Sequence, residues 1–218
     1  MSTTPRKSGR PTNPIPREKL LMHARDCFAE LGFSGASMNA IAQRSGIRKA
    51  SLFHHFAGKE KLYIEVLSGV IGELSVFVQD AGLGKGTFVM RLDRLGELAE
   101  RWLSDNPSAS RLLVWEVLGQ GAFSQSPAGE AVPITVREVA RFLQQGMDEG
   151  AIPPQEPTHL AMSIISIHLM HFAVSGLTNR LYDSDVFSEA HMSRRVPVVR
   201  EQIRRLCGVE ETHAQGVN

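Results

Sequence analysis

The chain has 218 residues, 42% of them hydrophobic and 22% charged, an ordinary balance for a globular protein able to bury a core. Its apolar stretches are interrupted before the roughly 20 residues a membrane span needs, and no apolar run follows the basic N-terminus, so neither a membrane segment nor a secretory signal is expected. Cys27 and Cys207 lie too far apart for a disulfide framework, and the net charge of +1 divides into +7 over residues 1–61 and −6 over the remainder, as expected of a soluble cytoplasmic protein with one end suited to a polyanion.

Residues 1–16 are rich in Pro, Ser, Thr and Arg and lack periodicity, which predicts a flexible basic arm. From Arg17, the residues Leu20, Leu21, Ala24, Cys27, Phe28 and Leu31 recur at helical spacing, and Gly32 supplies a stop. Ser37 can cap a short second helix that turns Met38, Ile41 and Ala42 inward. Gly46 ends that helix, because a tight turn there needs a residue comfortable at positive φ. A third helix is predicted from about Arg48 to His55. A fourth begins near Lys59 and runs to about residue 80, with Leu62, Val66, Leu67, Val70, Ile71 and Leu74 as its stripe.

Further helices are predicted over 87–104, from Pro107, from Pro127 to Gly150, over 158–181 and over 187–206, with Pro197 kinking the last or marking its true start. No alternating stretch is long enough for a convincing strand. The fold class is therefore all-α, with about nine helices: a three-helix N-terminal domain joined to a larger C-terminal helical one. The expected divisions are an arm at 1–16, a three-helix domain at 17–62, a body at 63–210 and a flexible tail at 211–218.

The segment from Ser37 to Phe56 suits a helix-turn-helix. Ala42 is small enough for two helices to cross closely, Gly46 makes the turn, and Ile47 and Leu52 bury beneath the second helix. Arg48, Lys49, Ser51, Phe53, His54 and His55 then face outward, where a groove-bound helix presents donors to base edges. An ordinary helical hairpin with a polar face has the same spacing.

The run from Leu20 to Leu62 resembles the DNA-binding domain of the TetR family of bacterial transcriptional regulators. The matching residues are Ala24, Phe28, Leu31-Gly32-Phe33, Ser37-Met38, Ile41-Ala42, Ser45-Gly46-Ile47, Ala50-Ser51-Leu52-Phe53, His55-Phe56 and Lys59-Glu60-Lys61-Leu62. The resemblance implies that Ser37 caps the second helix and touches a phosphate, that Lys49, Ala50 and Ser51 lie near bases, and that His54 and His55 lie at the helix end. Lys59 would meet a phosphate from the N-terminus of the fourth helix. Two residues depart from the pattern. Arg48 stands where the family often has a capping Ser or Thr, and Phe53 stands where it usually has Tyr, so a phosphate bond from that hydroxyl is unavailable. In the arm, Arg10 in Gly9-Arg10-Pro11 resembles a minor-groove hook, with a solvated basic tail as the alternative.

For the body, the resemblance implies an effector-binding and dimerisation domain whose last two long helices build a four-helix bundle between subunits. Residues 160–174 are apolar around most of the helix circumference, which suits cover by a partner, although burial within one subunit would also provide it. Phe88, Trp102, Trp115, Phe123, Met147, Met162, His168 and Phe172 are the candidates for a pocket taking a hydrophobic or amphipathic molecule, each competing with a plain core role. His168 and His171 lie three apart without a nearby carboxylate or Cys, so no metal is expected. No catalytic motif or cofactor fingerprint occurs, so neither enzyme activity nor a cofactor is expected. The function implied is a ligand-responsive regulator, most simply a repressor, that binds palindromic operator DNA as a homodimer. The alternatives are a small-molecule carrier or enzyme with an incidental helix-turn-helix, and a metal-responsive regulator.

Overall fold

A computed structural model describes residues 15–119, 123 and 126–209. Among the described residues there are ten α-helices and no strand: α1 (Arg17–Gly35), α2 (Met38–Arg44), α3 (Lys49–His55), α4 (Lys59–Leu83), α5 (Phe88–Asp105), α6 (Pro107–Val117), α7 (Ala131–Asp148), α8 (Pro157–Ala173), α9 (Ser175–Tyr182) and α10 (Glu189–Leu206). A 3-10 turn at Pro127–Glu130 precedes α7, so Pro127 opens a turn before the helix proper.

The local signals explain most of these ends. Gly32 takes φ 68° and breaks the regular path of α1 one turn before its last residue. Thr87 accepts from the Met90 N–H and caps α5, while Pro107 and Pro157 sit in the first turns of α6 and α8, where a missing N–H costs nothing.

Three expectations need correction. The helix predicted over 158–181 is two helices, bent by 77° at the Val174 break. The Thr178 hydroxyl there bonds the carbonyl of His171, taking up an acceptor that the break leaves open. Pro197 neither starts α10 nor ends it, since α10 begins at Glu189 behind the Ser188 cap and carries the proline inside. The stretch Lys59–Ala81 is long and apolar enough to match a membrane span by composition, yet it is a core helix burying Leu62, Tyr63, Val66, Leu67, Val70 and Ile71.

The expected boundary at residue 62 falls inside α4, which packs on α1 at one end and on α5 and α7 further along. One core unites α1, α2, α3, the first half of α4, and α6. A second lies between α4, α5, α7, α8 and α10, and a third, smaller one gathers Leu103, Phe172, Val186, Met192 and Val196. Gly146 is required in the second, because a Cβ there would drive into the Phe88 ring.

Head and body meet through polar as well as apolar contacts. Arg25 of α1 donates to Asn106 at 2.9 Å, and the Ser108 hydroxyl donates to Asp26 at 2.8 Å. Tyr63 of α4 donates to Glu116 of α6 at 2.9 Å, with both residues buried. Burial, with the Glu116 carboxylate beside it, pushes the Tyr63 phenol well above its usual range.

Candidate DNA interface

Ser37 has extended backbone, and its hydroxyl accepts from the Ala40 N–H at 3.1 Å, satisfying one of the open donors at the start of α2. At the other end Gly46 takes φ 67°, and the Ile47 N–H reaches the Ala42 carbonyl at 3.0 Å. That bond closes the turn and sends the chain into α3. Buried Ala42 lets the two helices cross, and Leu52, wholly buried, is the one residue of α3 in the core.

Everything else on α3 is turned outward. Lys49, Ala50, Ser51, Phe53, His54 and His55 are exposed, as is Arg48 just before the helix. An α-helix with its side chains is about 10–12 Å across, which fits a major groove about 12 Å wide. Arg48 occupies the cap position and makes no side-chain cap bond, leaving its guanidinium outside the fold. The Lys49 ammonium lies 5.9 Å from the centre of the Phe53 ring, so α3 presents cation and ring side by side.

Lys59 is placed differently from the other candidates. It is half-buried, and its ammonium donates to the carbonyls of Phe33 and Ala36 at 2.9 and 3.1 Å. Arg10 lies outside the described residues. Sequence reasoning missed the groups that brace the unit. Arg44 of α2 forms a two-pronged pair with Glu30 of α1, both bonds 2.7 Å, and Arg17 pairs with Glu65 while its guanidinium sits 4.7 Å from the centre of the Phe56 ring. These partners are distant in sequence, and a lone Arg on a helix gives no sign of which acid it meets.

The eight candidates for an effector pocket do not come together. Phe123 is buried in the head-side core, Phe88 in the second core and Phe172 in the third, while Met147 packs beside Phe88's cluster. Trp102 donates to Glu73 at 2.6 Å, Trp115 lies against Gly32, and Met162 is exposed. His168 is buried, with Nδ1 at 2.7 Å from Glu100. Glu100 also receives Arg195 through two bonds of 2.7 and 3.0 Å, so three ionisable side chains from α5, α8 and α10 share one buried site. Burial pushes the Glu100 carboxyl up, but the bonds and charges of His168 and Arg195 outweigh it and hold it below the usual range. A groove of about 380 Å³ lies instead between head and body, with Met22, Asp26, Pro107, Arg111 and Phe187 along it.

His171 does not join His168. Its Nε2 lies 3.1 Å from Nε2 of His191 on α10. Among the described residues no group of three or more His, Cys, Asp or Glu is placed to hold a metal ion. Along α8, α9 and α10, Met162, Met170, Leu177, Leu181, Tyr182, Val198 and Leu206 expose large apolar side chains.

Comparison with known proteins agrees with this architecture. Residues 20–66 match the family described as bacterial regulatory proteins, tetR family, and residues 89–203 match the tetracyclin repressor-like C-terminal domain. The chain is 26% identical over 196 residues to the HTH-type transcriptional regulator RutR of Escherichia coli K12, covering 86% of this chain and 90% of that one. The transcriptional repressor AcnR of Corynebacterium glutamicum is 34% identical over 74 residues, 34% of this chain and 38% of AcnR. The fold also matches AibR crystallised with isovaleryl coenzyme A and operator DNA, with a TM-score of 0.68 at 17% identity, covering 88% of this chain and 98% of AibR. With one match over the helix-turn-helix and another over more than half of the chain, this protein belongs to the TetR family of bacterial transcriptional regulators.

Proposed function

We propose that the chain is a ligand-responsive repressor that binds a palindromic operator as a homodimer. The observation that carries this reading is the composition of α3: one buried leucine anchors it, and every other residue faces outward with two imidazoles, a cation, a hydroxyl and an aromatic ring. Two such helices, about one helical turn of DNA apart, read successive major grooves. Lys49, Ala50, Ser51 and Phe53 contact bases, and Ser37, Arg48, His54 and His55 hold the backbone. Arg10 enters the adjacent minor groove. The exposed apolar residues of α8, α9 and α10 form the dimer face, and the protein acts in the cytoplasm.

A small hydrophobic or amphipathic effector bound in the body repositions α4 and changes the separation of the two heads. It acts only to the extent that it binds the two states differently. AibR was crystallised with an acyl-coenzyme A and DNA, which supports an effector of amphipathic character here. Because the family matches cover head and body alike, a carrier or enzyme with an incidental helix-turn-helix is not favoured.

The test is selection of bound fragments from genomic DNA, followed by mobility-shift titration across salt concentrations. Wild type should select a palindrome, and Lys49→Ala should weaken binding and, if its ammonium also meets a phosphate, lower the salt slope by about 1. Absence of any sequence-selective, salt-sensitive binding overturns the proposal.

A further inference from the structure

Met22, Arg25, Asp26, Ala29 and Glu30 recur at helical spacing along α1 and share one face of it. That face lines the groove between head and body, together with Pro107, Ser108 and Arg111 of α6 and with Phe187. Small-molecule sites commonly enclose about 300–1,000 Å³, and this groove, at about 380 Å³, falls in that range.

The carboxylates along it are already engaged. Both Glu30 oxygens take the Arg44 guanidinium at 2.7 Å, and Asp26 accepts from Ser108 at 2.8 Å. The Arg44 bond holds the Glu30 carboxyl below its usual range, with the charges of Arg44 and then Arg111 adding to it. The two guanidiniums of the groove have no such partners. Arg25 donates to the neutral Asn106 oxygen, and its Nε is buried without a hydrogen-bond partner among the described residues. Arg111 is half-buried and makes no hydrogen bond or ion pair among the described residues. A cation drawn partly out of water without a partner leaves an interaction open to an anion. Apolar surface lies beside it: Met22 is 44% exposed, and the Phe187 ring stacks on buried Phe172 with centres 5.7 Å apart.

We propose that this groove binds a small organic monocarboxylate, paired through its carboxylate with Arg111 and resting its hydrocarbon part on Met22, Pro107 and Phe187. Arg25 adds attraction from the α1 side. A guanidinium meets a carboxylate in a planar, two-bond geometry, which an ammonium does not offer. Inorganic phosphate brings charge without an apolar part, and a neutral amide brings the apolar part without charge. The occupant touches head and body at once, at a place separate from the effector site proposed within the body. The inference does not depend on operator binding.

Isothermal titration of the full-length protein, without DNA, tests this with octanoate, 3-phenylpropanoate, octanamide and inorganic phosphate. At least one of the two carboxylates should bind with a dissociation constant of about 1 mM or tighter, as befits an open groove. Octanamide and phosphate should each bind at least about tenfold more weakly. Arg111→Met removes no bond that the described residues make, and should weaken carboxylate binding at least about tenfold. Asp26→Asn removes a competing negative charge, keeps an acceptor for Ser108, and should tighten binding about twofold or more. Arg141→Gln, at an exposed position of α7 outside the groove, should change nothing. Absence of saturable binding by both carboxylates overturns the proposal, as does equal binding of octanamide or an unchanged affinity in Arg111→Met. If Arg111→Met does not fold, Asp26→Asn decides, and binding that it leaves unchanged or weaker overturns the proposal.

Discussion

Tyr63 on α4 donates its hydroxyl hydrogen to Glu116 on α6, and the pair is sealed between the DNA-reading head and the body. A buried carboxylate that loses a donor keeps its desolvation cost. Tyr63→Phe should therefore destabilise the protein by about 1–3 kcal/mol, read as a lower urea midpoint at unchanged slope. Because the pair joins α4 to α6, the same variant should shift the effector concentration needed for release. An unchanged midpoint would show that the remaining partners of Glu116 hold it without Tyr63.

Arg48 leaves α3 without a side-chain cap. Arg48→Ser should add that cap and stabilise the head by roughly 0.5–2 kcal/mol. Operator affinity should fall at the same time, since a cation is lost from the reading face. Thermal denaturation and a mobility-shift titration on one preparation check both halves.

Gly46 holds φ 67° with nothing within 4 Å of where a Cβ would stand. Gly46→Ala thus tests backbone strain free of clash, and should cost about 1–2 kcal/mol. Operator affinity should drop with the stability, because the turn aims α3.

Glu100 anchors His168 and Arg195 in a nearly solvent-free site. Glu100→Ala strands a buried guanidinium and should cost about 3–5 kcal/mol. Replacing Glu100, His168 and Arg195 together with apolar residues of similar volume should cost less than the single change. A larger loss in the triple variant would contradict this account.

Acid should weaken the fold in a defined window. Burial, with Arg195 adding to it, pushes the His171 imidazole down from 6.5 to about 4. Between those values the unfolded chain binds a proton that the folded one does not, so stability falls as pH drops from about 6.5 towards 4. Glu100, held below its ordinary range, adds a further loss at lower pH as it protonates. His171→Asn should flatten the upper part of this profile in urea melts taken at successive pH values.

What was legible in the sequence was local. Ser37 and Gly46 announce a cap and a turn within a few residues, and the crossing of α2 and α3 follows from Ala42 and Leu52. The bend at Val174 was not legible, because no proline marks it, and the His171 carbonyl is met by the Thr178 hydroxyl seven residues on. The Glu100 site joins residues 68 and 95 positions apart, which no periodicity reveals. The pocket candidates lie apart for a related reason. Large apolar residues mark core wherever they fall, and here they fall in several different places.

Both cysteines of the chain are buried, and burial pushes the Cys207 thiol up to about 12. Burial keeps both out of reach of a maleimide while the protein stays folded. A single cysteine introduced on the exposed face of α3 would be the one reactive thiol per subunit, with no native residue removed. In the proposed dimer, a donor and an acceptor dye placed there become a ruler for the distance between the two reading helices, with and without effector.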